Sequence, residues 1–223
     1  NLYESELTKF DKAKERNQWE YSVAMAYLKR RGLTDHTINT YKIRVDLDNQ
    51  CIVFPQRTRT GELRFLQKRK IGETFRGVKF INEGSPIKKD ILFGLHFINN
   101  LRHTPNRIKR VRLVESPIDA MSNYQMGYPA VAQNGKILFY NQIRELQLAG
   151  VEIVDLFYDN DIAGKQATKE ATEKLVRAGF VVNHVIYPKS VQHDSNQDSN
   201  TLLQLGILDQ VTIKPISLLG SRF

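Results

Sequence analysis

The sequence contains little of what several protein classes require. Cys51 is the only cysteine among 223 residues, which excludes a disulfide scaffold and a cysteine-based zinc cluster and favours a reducing, cytoplasmic setting. The five histidines show no zinc-ligand spacing. No apolar run approaches the roughly 18 residues of a membrane helix, and no signal-type segment opens the chain, so a membrane protein is not expected. Because the first residue is Asn1, we expect a piece of a longer protein.

Basic residues outnumber acidic ones, 33 to 24, and their excess is confined to one part of the chain. Residues 51–112 hold fifteen basic and four acidic residues, whereas residues 113–223 hold nine basic and twelve acidic residues. Lys and Arg side chains that neutralise phosphates release condensed counterions, so the basic stretch is predicted to bind a polyanion. A solvated basic face without a partner is the alternative.

The first part of the chain is typical of helices followed by a small antiparallel unit. Trp19, Val23 and Tyr27 recur at helical spacing, and Gly32 after three basic residues predicts the end of a helix. Two strands joined by a polar loop are predicted at residues 51–55 and 62–66, and further extended pieces are expected around residues 78–81. Together these elements predict a basic antiparallel unit over residues 43–90.

From residue 110 onward, short apolar runs alternate with helical patterns. The candidate strands are residues 111–114, 130–132, 152–157 and 181–187, and the helical patterns between them are residues 117–126, 138–148 and 161–178. Strict alternation of this kind predicts a parallel sheet covered on both faces. The boundary between the two units is expected between residues 101 and 110, where Thr-Pro-Asn interrupts the pattern.

Carboxylates follow several of these strands. Glu115 comes directly after the first strand, with Asp119 four residues later; Asp159 and Asp161 follow the third strand, and Asp198 follows the fourth after a polar segment. Ligands of open parallel sheets bind at the carboxyl ends of the strands. A hard divalent cation such as Mg²⁺ is therefore predicted between Asp159 and Asp161. The alternative for each residue alone is a helix cap.

Glu115 and the run Asp-Asn-Asp-Ile-Ala-Gly at residues 159–164 resemble the signatures of the Toprim fold. Those signatures are a Glu after the first strand and an Asp-x-Asp-x-x-Gly after the third. DnaG-type primases, type IA and type II topoisomerases and some nucleases share this fold. A topoisomerase is not expected, because its tyrosine nucleophile lies in a domain that this short chain cannot accommodate.

The upstream half resembles the RNA polymerase domain of DnaG-type primases, with each motif in the family's order. The matching segments are residues 27–34, 37–38 and 41–42, the strand ending in Phe-Pro at 52–55, Gly-Glu-Leu at 61–63, Gln-Lys-Arg at 67–69, Lys-Phe-Ile-Asn at 79–82, Ser-Pro at 85–86 and Leu-Phe-Gly-Leu at 92–95. The likeness covers roughly residues 27–204. The sequence departs from the family at Ser116-Pro117, which replaces the usual Gly after the Glu, and at residues 133–136, where the family tends to have Gly-Thr.

The resemblance implies an α+β N-terminal basic subdomain followed by an α/β Toprim domain with a mostly parallel central sheet. The expected division is a helical N-terminal segment at residues 1–42, the basic subdomain at 43–105, the Toprim domain at 106–204 and a C-terminal tail at 205–223. The zinc-binding domain that typically precedes this core is missing from the sequence. We therefore expect either a trimmed piece or a phage or mobile-element relative that lacks it.

The resemblance also implies a primase catalytic core that makes short RNA primers on single-stranded DNA by metal-dependent nucleotidyl transfer. Asp159 and Asp161 would hold Mg²⁺ or Mn²⁺, Glu115 would be a further ligand or the base, and Asp198 would complete a second metal site. Implied contacts with the template and with ribonucleoside triphosphates are Lys68, Arg69, Lys79 and Lys88, and the implied supporting residues are Asp119, Gly164 and Asn200. A replicative helicase is a further expected partner, and the expected location is the cytoplasm, that of the host if the protein is viral.

Two other functions remain open from the sequence. A Toprim nuclease would use the same carboxylates to activate water, although it has no need for the DnaG-like segment at residues 27–95. A non-catalytic module that binds single-stranded nucleic acid would leave the metal site idle.

Overall fold

The structure is a computed structural model that describes residues 2, 4–71, 79–84 and 88–216. Its described helices are α1 (Ser5–Thr8), α2 (Ala13–Arg16), α3 (Gln18–Arg30), α4 (Asp35–Thr40), α5 (Leu95–Asn100), α6 (Pro117–Gln125), α7 (Tyr140–Leu148), α8 (Ile162–Arg177) and α9 (Ser199–Gln204), with 3-10 turns at Lys88–Asp90 and Leu208–Gln210. The described strands are β1 (Arg44–Asp46), β2 (Cys51–Arg57), β3 (Leu63–Lys70), β4 (Phe80–Gly84), β5 (Arg110–Val114), β6 (Ala130–Ala132), β7 (Ile153–Leu156), β8 (Val181–Ile186) and β9 (Thr212–Pro215). Over these ranges, no helix is both long and apolar enough to cross a membrane.

Helix α3 forms where the sequence predicts it, but it packs through a different face. Asn17 caps its start by accepting a hydrogen bond from the Glu20 amide, and the chain leaves it through Gly32 at φ 79°. The buried residues of the helix are Ala24 and Leu28. Of the apolar side chains on which the prediction rested, Trp19 is 78% and Val23 is 47% exposed, whereas Tyr27 is half-buried against the core. Helical periodicity identifies the helix, whereas the partner surface decides which face is buried.

The first sheet is antiparallel throughout, in the strand order β1-β2-β3-β4. All seven residues of β2 are buried, and β3 pairs with β2 with a register shift between Gln56 and Arg57. Strand β4 pairs with β3 from Phe80 to Gly84. Of the extended pieces expected around residues 78–81, Val78 lies outside the described residues.

The second sheet has the order β6-β5-β7-β8-β9, and its first four strands are parallel. This confirms the predicted mostly parallel sheet. Strand β9 pairs antiparallel with β8, so that Ile213 lies opposite Val185. Part of the segment expected as a tail therefore extends this sheet, which the sequence did not indicate because a four-residue edge strand has too few residues for a recognisable alternation.

The two sheets share one apolar core. Phe54 of β2 lies edge-on to the ring of Phe93, with centroids 6.3 Å apart, and Phe93 forms an antiparallel bridge with Ala132 of β6. The same cluster includes Val114 at the end of β5 and Phe157 after β7. This packing brings the basic sheet against the carboxyl ends of the parallel strands.

Candidate active site

The predicted carboxylates meet at the carboxyl ends of β5 and β7. These strands are neighbours, with Leu113 opposite Leu156, so the residues that follow them lie side by side. The Asp159 amide donates to Glu115 Oε1 at 3.2 Å. Glu115 is buried, and Asp159 is half-buried beside it. The structure thus brings together residues that are 44 positions apart in the chain.

This edge carries more negative charge than its surroundings stabilise. Burial raises the pKa of Asp159 to about 7, and the nearby carboxylates Glu115, Asp198 and Asp161 contribute in the same direction. Burial also raises the pKa of Glu115, against the opposing effect of its hydrogen bond from the Asp159 amide. The surroundings of Asp159 and Glu115 thus disfavour their ionised forms, and a bound cation would favour them.

Asp161 and Gly164 shape the loop that carries Asp159. Asp161 is the N-cap of α8, and its Oδ1 accepts the hydrogen bond of the Gly164 amide. A Cβ at residue 164 would lie 2.0 Å from the Asp159 carbonyl oxygen, far inside van der Waals contact. The glycine of the motif is therefore required by the close approach of the Asp159 backbone. Asp161 is both a helix cap and a candidate ligand, so the two sequence interpretations of this residue are compatible.

Asp119 and Asn200 connect α6 to α9 beneath this edge. Asp119 is 3% exposed; its Oδ1 accepts from the Asn200 amide at 3.0 Å and its Oδ2 from the Ser116 hydroxyl at 2.6 Å. Burial, followed by the charges of Asp198 and Asp159, raises the pKa of Asp119 well above its usual range. Asp198 caps α9 through the Thr201 amide. Asp119 and Asn200 thus join the starts of α6 and α9, next to the carboxylates that they were expected to support.

The carboxylate oxygens at this edge are ligands of the type that a hard divalent cation binds, but their side chains do not converge on one point. Within residues 2, 4–71, 79–84 and 88–216, no three carboxylate, histidine or cysteine side chains are close enough together to hold a metal ion. The second oxygen of Asp161 accepts a hydrogen bond from Lys136 at 3.1 Å. Oxygen ligands with an excess of negative charge suit Mg²⁺ or Mn²⁺, and binding would require these side chains to turn toward one another.

Cations of the first part of the chain face these carboxylates. Arg69 is 8% exposed, lies against the rings of Tyr27 and Phe80, and has a buried Nε without a hydrogen-bond partner among the described residues. Burial lowers its pKa, and the charge of Arg69 in turn lowers the pKa of Lys79. The carboxylates Asp198 and Asp159 act on Lys79 in the opposite direction. Closely spaced cations beside carboxylates are an arrangement that can attract phosphate groups.

Of the four residues predicted to contact phosphates, Lys68 points away from the carboxylates and Lys88 has a side chain that the structure does not describe. Lys68 lies on the opposite face of β3 from Arg69, because neighbouring residues of a strand point to opposite faces. Its ammonium forms ion pairs with buried Asp46, at 2.7 Å, and with Glu83. The expected role of Lys68 in binding the template is therefore corrected to a structural ion pair. The Lys88 side chain lies outside the described part of the structure.

We expect Lys68→Met to destabilise the protein by about 3 kcal/mol, because it leaves Asp46 buried without its counter-ion. Although burial lowers the pKa of Lys68, Asp46 and Glu83 raise it above its usual value, as expected for a lysine held in ion pairs. Urea denaturation measures the loss. The double variant Lys68→Met with Asp46→Asn should recover part of it, since asparagine is uncharged. Wild-type stability in Lys68→Met, together with weaker binding of single-stranded DNA, would contradict this role.

The sequence did not identify two residues of the site. Arg31 donates to Asn200 Oδ1 at 3.0 Å, and its guanidinium lies 5.7 Å from the ring centroid of Tyr27. Lys136 lies in the turn after β6 and contacts Asp161. Arg31 was noted as part of a basic run before a glycine and of the matching segment at residues 27–34, but no role was predicted for it. Lys136 lies in a turn already noted as a departure from the family, which was the one available signal.

Comparisons with known proteins agree with this geometry. Residues 112–201 match a family model described as Toprim-like. The chain is 30% identical over 155 residues to a DNA primase of Chlamydia pneumoniae, an alignment that covers 66% of this chain and 26% of the relative. It is 29% identical over 150 residues to a DNA primase of Chlamydia muridarum, covering 66% of this chain and 24% of that protein. The chain thus spans about a quarter of the length of the curated relatives it matches.

Solved structures show the same fold. The RNA polymerase domain of Mycobacterium tuberculosis primase DnaG has a TM-score of 0.74 at 15% identity, over 95% of this chain and 82% of that chain. The Escherichia coli primase catalytic core has a TM-score of 0.73 at 20% identity, over 94% of this chain and 79% of that chain. These likenesses confirm the predicted fold class and the resemblance to DnaG-type primases. Primases and Toprim proteins are generally metal-dependent.

Proposed function

We propose that this chain, which has the fold of DnaG-type primase cores and a Toprim-like domain at residues 112–201, synthesises RNA primers on single-stranded DNA. One observation supports the proposal most strongly: a group of carboxylates and a group of cationic side chains lie next to each other. Glu115, Asp159 and Asp161 lie at adjacent strand ends. Lys79, directly before β4, interacts electrostatically with Asp198 and Asp159, and Arg69 of β3 with Asp119 and Asp198. A nucleotidyl transfer needs both, since the carboxylates hold metal and the cations hold phosphates.

In the proposed reaction, a 3′-hydroxyl attacks the α-phosphate of an incoming ribonucleoside triphosphate and pyrophosphate leaves. Asp159 and Asp161, with Asp198 for a second site, would hold Mg²⁺ or Mn²⁺, which when bound neutralises charge on the reacting phosphate. Glu115 is a further ligand or accepts the proton of the hydroxyl, and its raised pKa suits a base. Asp119 keeps the start of α6 and of α9 in position through its hydrogen bonds to Ser116 and Asn200.

Arg69 and Lys79 would bind the phosphates of the template and of the nucleotides, with Arg31 beside them. One structural relative is a DnaG primase catalytic domain bound to single-stranded DNA, with a TM-score of 0.72 at 20% identity over 93% of this chain and 79% of that chain. Each cation that contacts a phosphate releases a counterion on binding, so affinity is expected to fall with salt. Lys88 stays a predicted contact of the same kind, and a replicative helicase stays a predicted partner.

We expect Arg69→Met to weaken the binding of a single-stranded DNA oligonucleotide about tenfold without loss of stability. The guanidinium is buried without an ion pair among the described residues, so removing its charge relieves an unfavourable burial while the methionine stem keeps contact with Tyr27. Fluorescence anisotropy should also show a salt slope reduced by about one. Arg177→Met, at the far end of α8, is the matched control and should bind normally.

The experiment that tests the function is incubation of the protein with a single-stranded template, labelled ribonucleotides and Mg²⁺ or Mn²⁺. Labelled oligomers that depend on the template are the expected product. Fragments of the template would instead indicate the nuclease, and intact template bound without product would indicate a binding module. Either of these two results contradicts the proposal.

A further inference from the structure

The turn after β6 holds a lysine beside the carboxylates. The Gly135 amide donates to the Glu115 carbonyl oxygen at 3.1 Å, which ties the turn to the end of β5. Asn134, at φ 62°, donates through Nδ2 to Gln56 Oε1 of β2 at 3.0 Å. These two bonds fix the turn to both sheets, so the backbone of Lys136 has a defined place at the carboxylate edge.

The side chain of Lys136 reaches the Asp-x-Asp motif. Its Nζ lies 3.1 Å from Asp161 Oδ2, and the two side chains are 52% and 37% exposed. Burial lowers the pKa of Lys136, but the bond to Asp161 and the charges of Asp161, Glu115 and Asp159 outweigh this effect and raise it. The ammonium therefore interacts favourably with the whole carboxylate group as well as with its direct partner.

This contact occupies an oxygen that a metal ion would need. Asp161 Oδ1 accepts from the Gly164 amide, and Oδ2 accepts from Lys136. A carboxylate oxygen can accept a hydrogen bond and bind a metal ion at once, but a divalent cation on Oδ2 would repel the ammonium that lies 3.1 Å from the same oxygen. The Gly164 amide at Oδ1 is uncharged and is part of helix α8, so it can stay. A metal ion bound through Oδ2 would therefore displace Lys136.

We propose that Lys136 is the resident counter-ion of Asp161, which a divalent cation displaces on binding, and that the freed ammonium then contacts the phosphates of the nucleotide. This inference rests on the proposed function, because it assigns Lys136 a place in the same site. It makes metal binding and nucleotide binding mutually favourable, since phosphates that attract Lys136 leave Asp161 free for the metal.

The first test is calorimetric titration of the nucleotide-free protein with Mn²⁺. Lys136→Met should bind Mn²⁺ about two- to fivefold more tightly than the wild type, since a partly exposed ion pair no longer competes. Lys136→Arg, which keeps the charge, should bind like the wild type. Lys165→Met removes the same charge from the first turn of α8 and should leave the affinity unchanged.

Equal or weaker Mn²⁺ binding by Lys136→Met overturns the proposal, as does an equal gain in Lys165→Met, which would indicate a general effect of net charge. Absence of Mn²⁺ binding in the wild type would instead count against the metal site of the proposed function. The two failures are thus distinguishable. Because Lys136 is exposed, its variants should fold, and circular dichroism checks this directly.

The second test addresses the freed ammonium. At saturating Mn²⁺, we compare the binding of a ribonucleoside triphosphate analogue with a non-cleavable α–β bridge. Lys136→Met should bind it about five- to tenfold more weakly than the wild type, since a charge-assisted hydrogen bond to phosphate is lost. Lys136→Arg should recover most of this affinity. Unchanged binding of the analogue by Lys136→Met would overturn the second half of the proposal.

Discussion

Replacing both Asp159 and Asp161 by asparagine should reduce primer synthesis at least about 1,000-fold, because the two principal carboxylates of the proposed metal site are lost. Asparagine is chosen over alanine because residue 161 caps α8, and an asparagine side chain can accept the same hydrogen bond from the Gly164 amide. The fold should therefore be retained. Since burial and neighbouring carboxylates raise the pKa of Asp159, its replacement by asparagine should not destabilise the protein, and Asp161→Asn should lose only a partly exposed ion pair with Lys136.

The measurement is incorporation of labelled ribonucleotides on a single-stranded template, together with thermal unfolding of the same preparation. Binding of single-stranded DNA through Arg69 and Lys79 should persist in the double variant. Primer synthesis at the wild-type rate would remove the basis of the proposed mechanism. If the double variant loses both synthesis and its fold, Asp159→Asn alone tests the metal site, because this substitution leaves the helix cap at residue 161 intact.

Gly164→Ala should cost about 3 kcal/mol of stability and about 100-fold in primer synthesis. The added Cβ would lie 2.0 Å from the Asp159 carbonyl oxygen and 2.9 Å from its carbon, so the backbone of the loop has to move. A shift of about 1 Å in the loop displaces Asp159, and misplacement of this size at a reacting centre has effects of about that magnitude. Urea denaturation and the incorporation assay measure the two effects.

Gly127→Ala is the matched control for Gly164→Ala. A Cβ at residue 127 meets nothing within 4 Å, but its backbone has φ 82°, so the substitution should cost about 1 kcal/mol from backbone strain and leave synthesis unchanged. Near-normal synthesis by Gly164→Ala would show that the loop tolerates the shift. The close approach at Gly164 would then not control the position of Asp159.

The carboxylates at the ends of β5 and β7 were the part of the candidate site that the sequence predicted best. Glu115, Asp159 and Asp161 were predicted to meet because parallel strands place their carboxyl ends on one edge, a rule that needs only the alternation of strands and helices. The requirement for glycine at residue 164 arises from contacts within five residues of chain. The carboxylates thus follow from sheet topology, whereas Gly164 was predicted only through the resemblance to the Toprim signature.

The cationic residues proposed to bind phosphates were harder to predict from the sequence. Lys68 and Arg69 are adjacent in sequence and both basic. Arg69 lies on the face of β3 that interacts with Asp119 and Asp198, while Lys68 pairs with Asp46 and Glu83 on the opposite face. The sequence could not decide between them, since β3 is buried on both faces and shows no clear alternation of apolar and polar residues. Lys136 was not predicted, because its contact with Asp161 joins turns from separate strands.

The sequence by itself determined the order of elements, the separation of a basic part from an acidic part and the carboxylates of the edge. These follow from backbone periodicity and from spacing along the chain. Only the tertiary structure decided that Ala24 and Leu28 are buried while Trp19 is exposed, that β9 completes the second sheet, and that Arg31 and Lys136 belong to the site. The physical reason is that these features depend on which surfaces pack together, and a contact between distant residues leaves no periodic trace in either segment.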